Sequence, residues 1–195
     1  MSIPYNPSRC PHCKKKMDAG LRIHPACIDD YAQAQSEKSA RAQAKRVLMA
    51  AKVDKALTKQ RLTSMKTTGT LIAEAQAAFN AWVRKRDQLA GHACISSGKP
   101  LDWIGNGVDA GHYRSRGSAP HLRFDERNCH AQSKHDNRYL SGNVTGYRIA
   151  LIARIGIDAV EALECDQTPR KYTKDQLIAI KREYAAKARA LEAAQ

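Results

Sequence analysis

The sequence predicts an α+β protein, mostly helical. A small strand–loop–strand–helix motif is packed in helices, behind an N-terminal cysteine knuckle and a long basic helix. Three observations carry that prediction. Three of the six cysteines fall within the first 27 residues, in tight pairs. Residues 29–63 run without Gly or Pro and are rich in Ala, Gln, Lys and Arg. Residues 91–143 hold five of the seven histidines among clustered Gly, Asn and Pro, where long helices give way to turns and short strands.

A length of 195 residues suits one ordinary domain, or a small domain with a helical arm. The expected division is 1–28 (knuckle), 29–68 (basic arm) and 69–195 (the remaining domain). Lys and Arg total 33 against 19 acids, a formal charge of +14. Such an excess points to a polyanionic partner, nucleic acid first. No apolar window is long enough to span a bilayer, so no membrane partner is expected. The opening MSIPYNPSRC lacks the apolar core of a signal peptide, which predicts a soluble cytoplasmic protein.

In a reducing compartment, clustered cysteines read as metal ligands before disulfides. Cys10-Pro-His-Cys13 is a C-x2-C knuckle, and His24-Pro-Ala-Cys27 follows after ten residues. Two tight pairs closed by a loop supply the tetrahedron that zinc prefers. A segment of about 20 residues cannot bury enough apolar surface to fold alone, so the metal would supply its folding free energy. Four protein ligands leave no open position, which makes the zinc structural. The competing reading is a disordered leader with incidental cysteines. His12 lies inside the knuckle, where it would crowd the two thiols.

The arm holds nine Lys or Arg between residues 31 and 66 against Glu37 and Asp54. Ala and long unbranched side chains favour a long helix. Val47, Leu48, Met49, Val53, Leu57 and Leu62 are too sparse for a continuous buried stripe. A solvated surface helix and a phosphate-tracking arm both fit. Thr67-Thr68-Gly69-Thr70 marks a boundary, after which Leu71, Ala75, Ala78, Phe79 and Trp82 recur at helical spacing as core anchors.

In the central region, Val108 to Tyr113 reads as a short strand and Arg114 to Pro120 as a loop. Cys129 to Gln132 forms a second strand, and a helix starting near Lys134 carries Asn137. GHY at 111–113, LRFDERN at 122–128, the N-x8-N spacing from Asn128 to Asn137 and SGN at 141–143 form one ordered set. With that set, the chain resembles the lambdoid phage NinG (Rap) recombination proteins, of the HNH, or ββα-metal, nuclease group. The resemblance covers about residues 70–190, and the N-terminal segments more loosely.

The resemblance implies a metal-dependent endonuclease acting on branched double-stranded DNA, Holliday junctions and D-loops, in phage recombination, with other recombination proteins as further partners. His112 matches the general base, and a neutral imidazole can take a proton from water at working pH. Asn137 matches the metal-ligand position on the helix, where its oxygen suits Mg²⁺ or Mn²⁺. Asn128 matches the middle Asn that braces the loop and aims the base. Arg114, Arg116, Arg123 and Arg127 are candidate phosphate clamps, a job that suits a planar guanidinium.

Two departures stand out. The group often has Asp directly before the base. Here that position is Gly111, and the nearest acid is Asp109, which strand alternation puts on the face opposite His112. Asp109 and His130 are rival first ligands for the divalent ion. The related proteins also often carry a C-x2-C pair on each side of the site. This chain has Cys94 with Ser97, then Ser133 with Asp136, so no zinc is expected there and packing or hydrogen bonds must replace it. Cys94, Cys129 and Cys165 read as small core hydrophobes, and His92 and His121 as surface residues. The alternative function is a non-catalytic zinc-finger DNA-binding accessory protein with a decayed site.

Residues 147–164 are apolar at helical spacing with Gly156 between, which predicts two packed helices. Thr173 and Gln176 form a capping box opening a last helix with Leu177, Ile180, Tyr184 and Leu191 on one face. Those helices would cover the small motif. A homodimer seam on the last helix competes with that packing.

Overall fold

The computed structural model describes residues 9–18 and 20–194. The first eight residues, on which the expectation about export rests, lie outside that range. The chain divides into two compact units after Met65. Among the described residues no helix is long and apolar enough to cross a membrane.

The first unit holds the cysteine knuckle and α1 (Ile28–Ser64). The knuckle turns at Lys14, which takes a left-handed φ of 62°. An Arg9–Lys16 bridge and the hydrogen bond from Cys10 N–H to Lys15 O close it. A 3-10 turn over Pro25–Cys27 then leads into the helix. Asp29 and Asp30 in its first turn and Arg61 in its last complement the helix dipole. None of the residues of α1 is buried. This is the sparse apolar pattern of the sequence written in three dimensions.

The second unit is built on a two-stranded antiparallel hairpin, β1 (Val108–His112) and β2 (Cys129–Ser133), paired with Gly111 opposite His130 and His112 opposite Cys129. Helices cover both of its faces. On one face, α2 (Thr68–Leu89) and α6 (Lys174–Ala193) bury Phe79, Trp82, Val83 and Tyr184 with Ala110 and Cys129 of the strands. Leu71, Ala75 and Leu177 extend that packing along the two helices. On the other face, Tyr147 and Leu151 of α4 (Val144–Ile155) and Val160 and Leu163 of α5 (Ile157–Cys165) pack with Ile95, Tyr113, Ala119 and Leu122. The short α3 (Lys134–Tyr139) follows β2 directly.

Local chemistry places the ends of these elements. The Thr67 side chain accepts the Thr70 N–H at 3.1 Å, so the threonine-rich break is a helix cap and first turn. Gly156, at φ 87°, separates α4 from α5. The Thr173–Gln176 capping box is formed. The apolar face of α6 packs on α2 within the unit, through Leu177 and Tyr184. Cys165 is exposed at the end of α5, in contrast to the core position its sequence suggests. His121, read as a surface residue, is 7% exposed and pairs through Nε2 with the Asp166 carbonyl at 2.8 Å. No short-range pattern announces that pairing, which spans 45 residues.

Candidate metal centre and nucleic-acid site

The knuckle brings four ligand atoms together. Those of Cys10, Cys13, His24 and Cys27 all lie within 4.8 Å of one another, and the set could hold a zinc ion. Among the described residues it is the one such group of three or more His, Cys, Asp or Glu. His24 turns Nδ1 toward Cys13 Sγ at 3.2 Å, and its Nε2–H donates to the Lys16 carbonyl at 3.2 Å. That outer hydrogen bond fixes the tautomer in which Nδ1 is the ligand. Burial raises the Cys10 thiol, but backbone hydrogen bonds around the knuckle outweigh it and bring the pKa down to about 6. Burial and the neighbouring Cys13 and Cys10 push Cys27 up to about 11. Crowded thiols of this kind favour a cation over three protons. His12 points elsewhere, 3.9 Å from Asp30.

In the second unit, β1 and β2 sort the candidate residues by face. Cross-strand partners share a face, so Ala110, His112, Cys129 and Ala131 lie on the α2 side. Asp109, Gly111, His130 and Gln132 lie on the other. His112 stacks near Phe79, with ring centroids 6.1 Å apart. Its Nε2–H donates to the Arg123 carbonyl at 3.0 Å, and Nδ1 lies 3.6 Å from the buried Cys129 thiol. Burial first, and then the charges of Arg116 and Arg123, lower its pKa to about 4 against the opposing effect of the carbonyl. The imidazole is therefore neutral throughout the physiological range.

Asn128 is fully buried and ties the loop between the strands. Its Oδ1 accepts the Arg114 N–H at 2.8 Å, and Nδ2 donates to the carbonyls of Arg114 at 3.0 Å and Leu122 at 3.1 Å. This is the loop that presents the Arg123 carbonyl to His112. The charges of Arg116 and Arg123 reach the ring, and neither guanidinium forms an ion pair with a carboxylate among the described residues. Burial, and then the Arg116 charge, lower the Arg123 pKa from its ordinary value.

The remaining candidates sit elsewhere. Asn137 donates to Asp109 Oδ2 at 3.0 Å, and Arg138 donates to the same oxygen at 3.0 Å. The structure thus brings Asn137 to Asp109, and not to His112. His130 is 3% exposed with Nδ1 on the Tyr147 hydroxyl at 3.2 Å, and the structure does not bring it to Asp109. Arg114 turns toward α5. Its Nη1 donates to the Leu163 and Glu164 carbonyls at 3.1 and 2.6 Å, capping the end of α5. Arg127 forms a bidentate pair with Asp125 at 3.1 and 2.7 Å.

Gln132 is the residue that sequence reasoning missed. Its amide nitrogen, Nε2, donates to Ser96 Oγ at 2.8 Å and to the Gly142 carbonyl at 2.6 Å. Its buried Oε1 receives no hydrogen bond. A Cβ at Gly111 would lie 2.1 Å from that oxygen, so the position has no room for a side chain beside Gln132. The only sequence signal was the glycine itself. The second, cysteine-depleted cluster is a hydrogen-bond network. Ser96 Oγ donates to Asp136 Oδ2 at 2.8 Å, Cys94 Sγ lies 3.6 Å from the same oxygen, and the Ser133 N–H donates to Cys94 Sγ at 3.2 Å.

Comparison with known proteins adds a family. The family model described as "Bacteriophage Lambda NinG protein" matches residues 3–194. Protein ninG of Salmonella phage P22 is 44% identical over 131 residues, covering 66% of this chain and 61% of that protein. Protein ninG of Escherichia phage lambda is 41% identical over 131 residues, with 66% and 61% covered. That of Enterobacteria phage H19B is 42% identical over 125 residues, with 63% and 59% covered. The match therefore spans about three fifths of these relatives' length. No solved structure matches the chain significantly.

Proposed function

Because the chain belongs to the NinG family of phage proteins, we propose that it is a structure-specific DNA endonuclease of phage recombination. Its substrate is branched duplex DNA such as a Holliday junction or D-loop, and the hydrolysis is centred on His112. The observation that carries this reading is the pinned loop. Asn128 holds the segment whose Arg123 carbonyl fixes one nitrogen of a neutral His112, and the charges of Arg116 and Arg123 reach the ring. A neutral imidazole can accept a proton from water, and two guanidiniums without carboxylate partners among the described residues suit the charge on a scissile phosphate.

The chemistry also asks for a hard divalent ion. Asp109 and Gln132 share the hairpin face opposite His112, and Asn137 sits against Asp109. All three offer oxygen, and Gln132 Oε1 lacks any donor. Oxygen suits Mg²⁺ or Mn²⁺ in kind, but Asp109 Oδ2 already holds the Arg138 guanidinium and Gln132 Oε1 is buried against Gly111. These oxygens lie on the face of the hairpin opposite His112, so the residues present do not place an ion beside that imidazole, and no step is routed through one. Zinc in the knuckle is structural and takes no part in the chemistry.

The second reading is a non-catalytic zinc-finger DNA-binding accessory protein. One observation favours it: His112 Nδ1 faces the buried Cys129 thiol, on the face of the hairpin opposite Asp109 and Asn137. The two readings separate on a labelled four-way junction and a matched linear duplex, each with Mg²⁺, with Mn²⁺ and with no added divalent ion. Metal-dependent cutting of the junction supports the nuclease. Binding without cutting in any of these conditions supports the accessory protein. Equal cutting of both substrates keeps the chemistry and removes the branch preference.

A further inference from the structure

The basic residues of α1 are not scattered. Lys38, Arg41, Lys45, Lys52, Lys55 and Lys59 recur at spacings of three, four, seven, three and four residues. At 3.6 residues per turn they fall within an arc of about 100°, in a row about 31 Å long. Leu48 and Leu62 complete the same seven-residue pattern. All six cations are exposed. Arg41 lies 3.8 Å from Glu37, and the five lysines stand in no ion pair among the described residues. The other two basic residues of the helix, Arg46 and Arg61, point to a different side, roughly 80° or more away by the same periodicity.

A seven-residue row is what a coiled coil uses for its apolar seam. Here cations fill it, so a second copy of the same helix would meet it with like charge. The row instead matches a polyanion in sign, length and straightness. We infer that this face of α1 is a docking surface for the phosphate backbone of duplex DNA. The inference rests on the DNA-binding part of the reading above and not on cleavage.

The test compares two double variants of the full chain that remove equal charge. Lys52→Gln/Lys55→Gln takes two cations from the row, and Arg46→Gln/Arg61→Gln takes two from outside it. Binding to a linear 30-base-pair duplex is titrated over a range of salt without added divalent ion, and circular dichroism confirms helix content. Removing one cation that sits on a phosphate lowers the slope of log K against log salt by about one. The row variant is expected to drop by about two units of slope while the control stays near wild type. Equal slopes for the two variants would overturn the inference even if the protein cuts DNA. A wild type that binds and does not cut, with the two slopes separated, would uphold the inference and sink the nuclease reading. Failure of the wild type to bind would overturn both.

Discussion

Asn128 and Arg114 are locked together: the Asn128 side chain accepts the Arg114 N–H at 2.8 Å and donates to the Arg114 carbonyl at 3.0 Å. The same amide reaches Leu122, so one buried side chain sets the path of the loop from the end of β1 to the residues around His112. Asn128→Ala removes three hydrogen bonds and leaves two carbonyls without this donor. The expected loss of stability is about 2–4 kcal/mol. Urea unfolding followed by tryptophan fluorescence checks it, because Trp82 and Trp103 both lie in the second unit. A loss below about 1 kcal/mol would mean that the loop holds its shape without this amide.

Gly111 and Gln132 make a second testable pair. Adding a methyl at residue 111 drives it into Gln132 Oε1, and that side chain is anchored at Ser96 and Gly142. Gly111→Ala should cost roughly 1–3 kcal/mol. The Gly111→Ala/Gln132→Ala double variant should recover part of the overlap cost, seen as an interaction energy in a double-mutant cycle. Strict additivity would show that the two residues do not meet.

Zinc removal should act on the first unit alone. The purified chain is expected to carry one zinc, and Cys13→Ser to lose most of it. The loss should be visible by elemental analysis, with knuckle protons dispersed in the NMR spectrum only when metal is present. Retained stoichiometry in Cys13→Ser would remove Cys13 from the ligand set.

Acid should weaken the second unit before its carboxylates titrate. Burial depresses His112 to about 4 and His130 to about 3, both below the usual value near 6.5. The unfolded chain therefore binds protons at a pH where these two rings do not. Their contribution is complete above about pH 7 and is lost as pH falls through 6.5 toward the folded values. Each ring should account for about 2 kcal/mol of lost stability by pH 5. Tryptophan-detected unfolding at pH 7 and pH 5 measures it, and a flat profile would contradict the burial of both rings.

Much of the fold could be read from local signals. The glycine-free, proline-free run gave α1, the threonine-rich stretch at 67–70 gave the boundary before α2, Thr173 gave the start of α6, and Gly156 gave the break between α4 and α5. The residue order around Val108 and Cys129 gave the hairpin. Spacing of two residues within each pair was enough to pick out the four residues that could hold zinc. Pairings across the hairpin were harder to see. His121 with Asp166, Arg114 capping α5 and Gln132 filling the space above Gly111 join residues roughly 10 to 50 positions apart. Periodicity carries no information about such pairs. Strand alternation did predict that Asp109 and His112 take opposite faces, and they do. It could not say which of them Asn137 would meet.

The central claim is that His112 does chemistry and is not merely packed against Phe79. Wild type, His112→Ala and His112→Gln should be compared for cutting and for binding of one labelled four-way junction, in Mg²⁺ and in Mn²⁺. The account predicts that wild type cuts and both variants lose cutting by at least about 100-fold, the scale of a lost general base. Their junction affinity and unfolding midpoint should stay close to wild type in at least one of the two. Variants that fold, bind and cut at the wild-type rate would contradict it.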